Sequence, residues 1–364
     1  MGLQVSPQVV PIPADGLLLH VGVFKTGTTA LQETLRYSNE ILSANSVLYR
    51  GPASWKWAPL RELAATNAPA WQALLTDIAE QRGRAVVSSE NLCGCSDDEA
   101  ADIVQQLAGE RPVQILITIR SISELLPSTW QQFLKRRMSQ PFDEWVAEVL
   151  SHSEDGEGIF WRRNDFPAQV RRWGSLVGTN NVTVVVSEKS EPDRLLRLAE
   201  QLLSLPDQGL QFHPSGKRNR SLSMNSAELL RRVNEGTTDL LDGEEYRRLI
   251  RLGVFPAIYK LDQTGLAPIS LPTSAAEAAV AIGARQAVQL RESGARVVGD
   301  LDALARSAAS GESAQVRSTD IAVETAAAGI VGAIAASGPT KAVAKSSAPR
   351  SAAVRIRRLF QRNS

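Results

Sequence analysis

The sequence predicts an α/β fold, with a mostly parallel central sheet and helices on both faces. Two observations lead to this prediction. Short apolar runs, typical of strands buried on both faces, alternate along the chain with segments of helical apolar spacing. The first apolar run also passes into a Gly/Thr-rich loop and then into a helical segment without any spacer. This βαβα order is typical of a parallel sheet covered by helices.

Four apolar runs are the predicted strands, and the helical segments fall between and after them. The strands are predicted at 16–22 (GLLLHVG), 84–89 (RAVVSS), 113–119 (VQILITI) and 182–186 (VTVVV). Helical spacing predicts helices at 30–42, 71–81, 97–109, 122–137, 165–176, 193–205, 226–233, 243–251 and 274–292. The helix at 97–109 opens with an Asp-rich turn, which suits the positive end of a helix dipole.

Composition divides the chain into three predicted regions. Residues 1–15 carry three prolines and no periodicity, which predicts a loose N-terminal leader. Residues 16–304 hold all the predicted strands and helices and form the α/β domain. Residues 305–364 contain no Trp or Tyr and one Phe, with much Ala and Ser. Such a segment buries too little apolar area to offset its ordering entropy, so we expect a largely disordered tail.

Positive charge is concentrated at the C-terminal end. The formal net charge is +1, but residues 325–364 hold seven Lys/Arg and no Asp/Glu, which leaves the preceding 33 basic and 39 acidic residues with a net charge of −6. A mildly acidic body argues against nucleic acid as a partner. The end of the tail, 352–362, places apolar residues among four arginines. It is either a short basic amphipathic helix that contacts an anionic membrane surface or a partner, or a solvated disordered end.

Cysteine usage and the N-terminus predict a cytoplasmic protein. Cys93 and Cys95 are too few for a disulfide framework, which favours a reducing compartment. A zinc site would need further ligands, so we interpret them as two small side chains that follow a strand. The N-terminus lacks the basic and apolar regions of a signal peptide. The longest weakly polar run, 325–337, is shorter than the roughly 18–20 residues that span a bilayer.

The segment 22–29, GVFKTGTT, is the most informative part of the chain. A strand that ends in a Gly/Thr loop and opens a helix aims backbone N–H groups and the helix dipole at a phosphate, and Thr28 and Thr29 add hydroxyl donors. The nucleotide P-loop has its lysine directly after the second glycine. Here Thr28 follows Gly27, and the lysine lies upstream at Lys25. A lysine inside the loop covers the bond just beyond the first phosphate.

A second motif lies at the end of the third strand, where Arg120 is followed eight residues later by Ser128. Together with the loop lysine, these residues resemble the cofactor site of sulfotransferases that use 3′-phosphoadenosine 5′-phosphosulfate (PAPS), and the chain looks most like the bacterial and carbohydrate-type members. The resemblance covers roughly residues 17–304 and implies a P-loop-like phosphate-binding strand–loop–helix. It implies that PAPS is the co-substrate, with no metal, and that the following residues bind it: Lys25, Thr26, Gly27, Thr28, Thr29, Arg120, Ser128, Lys217 and Arg218.

The resemblance gives these residues different tasks. The loop would bind the 5′-phosphosulfate, and Arg120 and Ser128 the 3′-phosphate, through a charge-assisted fork and a hydroxyl. The basic segment 217–223, KRNRSLS, would close over the cofactor, although it departs from the Arg-Lys-Gly motif of the steroid and phenol members. Two alternatives stay open: Arg120 in a surface ion pair, and 217–223 as a solvated turn before a helix capped by Ser223 or Asn225.

Sulfuryl transfer suggests two catalytic residues. Lys25 and the loop N–H groups would stabilise the charge that develops on the departing 5′-phosphate. Glu90 ends the strand 84–89, and ligands of such sheets bind beyond the carboxyl ends of the strands. It therefore faces the same crevice as Lys25 and is the candidate base for the acceptor hydroxyl. The alternative is a structural Glu90 that caps the next turn or pairs with a basic residue.

The acceptor is suggested only by aromatic residues. Trp55, Trp57, Trp130 and Trp161 fall near loops or helix starts after the key strands, where aromatic faces suit a sugar or aryl group. This favours a hydroxyl, or an amine, of a carbohydrate or glycolipid, although ordinary core packing explains the same pattern. His20 lies in an apolar strand and is interpreted as a core residue, whereas His152 is a second candidate at the acceptor site.

Two other function classes compete with the sulfotransferase. A P-loop kinase or NTPase would use ATP and Mg²⁺, but the chain has no lysine after Gly27 and no convincing Walker-B acidic strand end. A non-catalytic nucleotide-binding scaffold would be favoured if Lys25 or Arg120 were missing, and both are present.

Overall fold

The chain forms two compact units in a computed structural model. The structure describes residues 9–56, 58–188, 190–213, 221–261, 268–307 and 323–337. The first unit comprises residues 1–238 and 263–321, and the second comprises residues 239–262 and 322–364. Within the described ranges, no helix is long and apolar enough to cross a membrane.

A six-stranded sheet, counted over the described residues, lies at the centre of the first unit. Its strands are β1 Leu17–Gly22, β2 Val47–Arg50, β3 Arg84–Ser88, β4 Val113–Ile119, β5 Val182–Val186 and β6 Arg296–Val298. The order across the sheet is β2-β3-β1-β4-β5-β6, and every neighbouring pair is parallel. All six residues of β1 are buried, because the sheet is covered on both faces. The predicted α/β fold with a mostly parallel sheet is confirmed.

Each of the nine predicted helical segments holds at least one α-helix, but the helices at 60–65, 142–151, 158–164, 255–260 and 323–337 were not predicted. The helices of the first unit cover its sheet, and those within 239–262 and 322–364 belong to the second unit. The described residues form fifteen α-helices. They are α1 Thr28–Tyr37, α2 Asn39–Ala44, α3 Leu60–Ala65, α4 Pro69–Glu80, α5 Asp97–Ala108, α6 Ile122–Leu134, α7 Phe142–Ser151, α8 Gly158–Asn164, α9 Phe166–Val177, α10 Arg194–Leu203, α11 Met224–Thr237, α12 Gly243–Tyr246, α13 Phe255–Lys260, α14 Thr273–Glu292 and α15 Val323–Ser337. A π-helix, Arg247–Val254, joins α12 to α13. The Asp-rich start of α5 is part of a capping box between Ser96 and Glu99.

The predicted single helix at 30–42 is two helices, α1 and α2. They are separated at Ser38, whose hydroxyl donates to the Thr34 carbonyl at 2.7 Å and whose N–H donates to the Leu35 carbonyl. The helix predicted at 122–137 ends early, at Leu134, and Arg137 has a φ of 76°. Local hydrogen bonds and backbone angles set both breaks, and apolar spacing does not report them.

The N-terminal region differs in part from the predicted loose leader. Ile12 is 1% exposed, and its N–H donates to the Leu202 carbonyl at 2.9 Å. Its own carbonyl accepts from Nε of Arg84 at 3.0 Å. Residues 9–15 are therefore packed onto the domain through Val9 and Ile12, which proline content alone does not reveal. Residues 1–8 lie outside the described part of the chain.

The second unit contains helix α15 within the predicted disordered tail, so the expectation of disorder was wrong for Val323–Ser337. The composition argument counted apolar area and overlooked close packing of small residues. A Cβ atom on Gly253 would lie 2.6 Å from the Gly332 carbonyl oxygen, so glycines let the π-helix and α15 approach closely. Arg248 also donates to the Ala336 carbonyl at 3.1 Å, near the end of α15. The basic segment 352–362 lies outside the described residues, and its role stays a prediction.

Candidate phosphate-binding and acceptor site

The loop between β1 and α1 is tightly folded. β1 ends at Gly22 and α1 begins at Thr28. Lys25 has a φ of 69° and Gly27 a φ of 88°, both in the left-handed region that favours glycine. A Cβ atom on Gly22 would overlap the side chain of Thr28, so the loop folds back over a position where only glycine fits.

The loop threonines have different environments. Thr26 is buried, donates to the Val23 carbonyl at 2.6 Å and contacts the Thr118 hydroxyl of β4 at 2.5 Å. Thr28 is also buried, and its hydroxyl lies 3.4 Å from the Val23 carbonyl, which is a long hydrogen bond. Thr29 is exposed. Thr26 therefore ties the loop to the neighbouring strand, while Thr28 and Thr29 have more freedom to turn a hydroxyl towards a ligand.

Five consecutive backbone amides of this loop and helix start, those of residues 25–29, donate to no acceptor in the described part of the chain. The next two amides, Ala30 and Leu31, both donate to the Gly27 carbonyl. Free amides at the start of the ten-residue α1 carry the positive end of its dipole. Such an arrangement binds an anion, and phosphate is the common occupant.

Lys25 and Glu90 lie at the carboxyl ends of the adjacent strands β1 and β3. The pairing of His20 with Ser88 places Gly22 level with Glu90, the first residue of a 3₁₀ turn, Glu90–Gly94. Burial lowers the pKa of Lys25, Glu90 opposes that shift, and Arg120 adds to it. Burial raises the pKa of Glu90, and Lys25 opposes that shift. The two side chains therefore act in each other's electric field, as the sequence predicts for one crevice.

Arg120, at the end of β4, reaches the same loop but is already paired. Its Nε and Nη2 donate to the two carboxylate oxygens of Glu124 at 2.6 and 2.7 Å, and its Nη1 donates to the Lys25 carbonyl at 3.1 Å. The Ser128 hydroxyl donates to the Glu124 and Leu125 carbonyls, both at 3.0 Å. Arg120 therefore forms an ion pair, as the alternative proposed. Its partner is Glu124, four residues later in the sequence.

Two of the predicted cofactor residues, Lys217 and Arg218, lie outside the described residues. The chain is described again from residue 221, where the Leu222 N–H donates to Oε1 of Gln131 in α6 at 2.9 Å. Ser223 then caps α11 by accepting from the Ser226 N–H. The capping alternative is therefore correct for Ser223, and any contact of the basic residues with a cofactor stays a prediction.

Three of the four tryptophans proposed for acceptor stacking are core residues. Trp55, Trp130 and Trp161 are 3%, 0% and 2% exposed. The Trp130 indole donates to the Gln140 carbonyl, and the Trp161 indole donates to the Val149 carbonyl at 2.6 Å. Stacking by these three rings was the wrong interpretation, because apolar spacing cannot tell a loop-facing ring from a core ring. Trp57 lies outside the described residues.

The histidines do not join the loop residues. His20 is buried, its Nδ1 lies 2.8 Å from the Ser88 hydroxyl, and burial lowers its pKa to about 3, so it is a neutral core residue as interpreted. His152 is partly exposed, its Nδ1 lies 3.0 Å from the Asp155 carboxylate, and this hydrogen bond raises the histidine's pKa. With Glu157 these two offer three ligand atoms within 4.8 Å of one another on the surface.

The two cysteines are free thiols, buried directly after β3. Burial raises the pKa of both to about 12, so neither is a reactive thiolate. The Cys93 thiol donates to the Glu90 carbonyl at 2.9 Å, which helps to hold the 3₁₀ turn. They therefore behave as small packing residues beside the candidate base.

A cleft lies beside the loop and was not predicted from the sequence. Phe24, directly before Lys25, forms part of its wall, and the remaining wall comes from α6, the residues after it, and α8. Two arginines line it, Arg136 and Arg163, and the guanidinium carbon of Arg163 lies 4.7 Å from the centre of the Phe24 ring. Both arginines also oppose the raised pKa of Glu90.

Comparison with known proteins gives one structural likeness. No family model matches the chain, and no curated protein sequence does. The fold is similar to that of a sulfotransferase from Alicyclobacillus acidocaldarius, with 16% sequence identity and a TM-score of 0.37, over 64% of this chain and 99% of that one.

Proposed function

We propose that this chain is a PAPS-dependent sulfotransferase that moves a sulfuryl group to a hydroxyl or amine of an acceptor. The observation that carries the proposal is that Arg120 and Glu90 both interact with Lys25 of the loop. Arg120 donates to the Lys25 carbonyl, and Glu90 interacts electrostatically with the Lys25 side chain. These three residues follow three adjacent central strands, in the order β3-β1-β4. Ligands of open α/β sheets bind in a crevice just beyond the carboxyl ends of the strands. A donor anion and an acceptor oxygen can both be reached from there.

The loop fits the phosphosulfate end of PAPS. Five amides without a described acceptor, the dipole of α1 and the ammonium of Lys25 all favour an anion at the same place. The positive φ of Lys25 and Gly27 gives the tight turn that lets the backbone approach such a group. A bound phosphate would also oppose the burial effect on Lys25 and keep its ammonium charged.

Arg120 fits the 3′-phosphate in shape, because its fork already holds an anion with two hydrogen bonds. That anion is the Glu124 carboxylate, at 2.6 and 2.7 Å. A phosphate would therefore share the fork with Glu124 or displace it. The backbone contact from Arg120 to the Lys25 carbonyl would hold the loop and the 3′-phosphate site at a fixed separation.

Glu90 and Lys25 would perform the chemistry. PAPS, when bound, supplies the sulfuryl group and leaves as 3′-phosphoadenosine 5′-phosphate (PAP). Glu90 would accept the acceptor's proton while the acceptor oxygen bonds to sulfur and the bond from sulfur to the 5′-phosphate oxygen breaks. Burial raises the pKa of Glu90 towards the range where a carboxylate is an effective base. Lys25 would neutralise the charge that appears on the departing phosphate.

A binding panel tests the proposal directly. Melting temperatures are measured with PAP, ATP and ADP, each with and without Mg²⁺. A ligand at 100 times its Kd stabilises the folded state by about 2.7 kcal/mol, so a specific ligand is readily detected. We expect PAP to stabilise the protein without Mg²⁺. Stabilisation by Mg²⁺–ATP with none by PAP would instead support the kinase or NTPase alternative.

A further inference from the structure

The wall of the cleft beside the loop combines apolar side chains with two arginines, Arg136 and Arg163. Phe24, Phe133, Ile159 and Phe160 contribute apolar surface, and no Asp or Glu lines it among the described residues.

The two arginines of the cleft differ in their surroundings: Arg136 is exposed to solvent, and Arg163 is partly buried. Within the parts of the chain that the structure describes, neither Arg136 nor Arg163 forms an ion pair within 4.0 Å. The Nε atom of Arg163 is buried without a hydrogen-bond partner. A buried donor with no partner costs free energy that a ligand can recover. The carboxylate of Glu90 interacts electrostatically with both guanidiniums without a described ion pair to either.

The position of the cleft connects it to the proposed chemistry. Phe24 belongs to the cleft and precedes Lys25 in the chain, so the cleft and the phosphate loop share a wall. Glu90 is in the fields of Lys25, Arg163 and Arg136, so it is near both the loop and the cleft. A molecule in the cleft would therefore lie beside the phosphate loop and near the two arginines whose charge acts on the candidate base.

We infer that this cleft binds the sulfuryl acceptor, and that the acceptor is a small molecule with an apolar ring and an anionic group held by Arg136 and Arg163. This inference rests on the proposed function for the transfer step. The ring would pack against Phe24 and Phe160, and the carboxylate, sulfate or phosphate would take the guanidinium donors. The inference replaces tryptophan stacking of a neutral sugar as the basis of acceptor recognition.

Matched probes test this assignment. Binding of 4-hydroxyphenylacetate and of its neutral amide, 4-hydroxyphenylacetamide, is measured by calorimetry in the presence of PAP, and 4-hydroxyphenyl phosphate distinguishes a carboxylate site from a phosphate site. We expect either anion to bind at least about 10-fold more tightly than the amide, since hydrogen bonds to charged groups are the strong ones. Equal binding of the acid, the phosphate ester and the amide would overturn the inference.

Variants then assign the effect to the two arginines. Arg136→Gln and Arg163→Gln should each remove most of the preference for the anion while leaving the amide unaffected. Arg162→Gln is the matched control, because Arg162 is the exposed neighbour of Arg163 in α8 and does not line the cleft. An unchanged preference in both variants would overturn the assignment. The melting shift with PAP is recorded for each variant: a loss of that shift in Arg163→Gln would place Arg163 in the donor site and refute its acceptor role.

The two proposals fail in different ways. If PAP does not bind the wild-type protein, the sulfotransferase proposal fails, and the probes are then measured without PAP. Preferential binding of the anion that depends on Arg136 and Arg163 would still establish the cleft as an anion-binding site. If PAP binds and the acid binds no better than the amide, the sulfotransferase proposal stands and the acceptor inference is wrong.

Discussion

The two sides of the phosphate loop use arginine in opposite ways. On the donor side, Arg120 donates two hydrogen bonds to the Glu124 carboxylate and one to the Lys25 carbonyl, so its guanidinium has partners within the protein. On the cleft side, Arg163 has a buried Nε without a partner, and Arg136 has no described ion pair. Arg120 and Arg163 therefore have different roles. Arg120 holds the loop through its hydrogen bonds, whereas the Nε of Arg163 can still donate to a ligand.

Glu90 interacts electrostatically with Lys25 and with both cleft arginines, and its replacement should give the largest effect. In Glu90→Gln, turnover should fall about 10²–10⁴-fold, because the acceptor proton loses its base. PAP affinity, measured by calorimetry, should stay near the wild-type value. The wild-type rate should fall as pH drops through the pKa of Glu90, which burial raises above its usual value, and this acid limb should be missing in the variant. Loss of PAP binding would instead make Glu90 a structural support of the loop.

Lys25 tests the donor side of the comparison. Lys25→Ala should lower turnover about 10²–10³-fold, the usual effect of removing one group that stabilises developing charge. Lys56→Ala is a matched control, because Lys56 is exposed and also has a positive φ, 56° against 69° for Lys25. Both substitutions therefore place alanine on the same kind of backbone. If the control loses as much activity as Lys25→Ala, the effect comes from the backbone and not from the ammonium group.

Arg120 and Glu124 sharpen the comparison with the smallest expected effects. Arg120→Ala should weaken PAP about 10–100-fold and adenosine 5′-phosphate much less, because only PAP carries the 3′-phosphate. Glu124→Gln should tighten PAP by up to about 10-fold, since a neutral amide competes less for the guanidinium. Asp77→Asn, which breaks the unrelated pair with Arg50, is the control. Equal losses of both nucleotides in Arg120→Ala would show that Arg120 does not recognise the 3′-phosphate.

Local sequence features were enough to predict the central strands of the sheet and the residues of the phosphate-loop side of the site. The four long apolar runs are found as β1, β3, β4 and β5, because strands buried on both faces must be apolar throughout. The edge strands β2 and β6 were missed, since they are four and three residues long and are only partly buried. The convergence of Lys25, Glu90 and Arg120 was predictable because parallel strands end at a common edge.

The cleft could not be predicted, because its wall is assembled by packing of distant segments. Phe24 lies in the phosphate-loop segment, but Arg136 and Arg163 are far from it in the chain and stand in no motif. The orientation of the tryptophans is likewise decided by tertiary packing: Trp130 and Trp161 turn inward, where their indole groups donate to backbone carbonyls. A pattern that repeats along one helix carries no information about which neighbour its side chains meet.

The close approach of Gly253 and Gly332 has a practical consequence for anyone who shortens this protein. A chain that stops after residue 307 keeps all the described strands and the phosphate loop, yet it strips α15 from the π-helix and α13. The surface exposed by this truncation includes the backbone at Gly253, which has no side chain to cover it, so water or another chain must contact it. Truncations that remove the whole C-terminal region should therefore promote aggregation, whereas truncations that end beyond Ser337 retain α15, which covers this face.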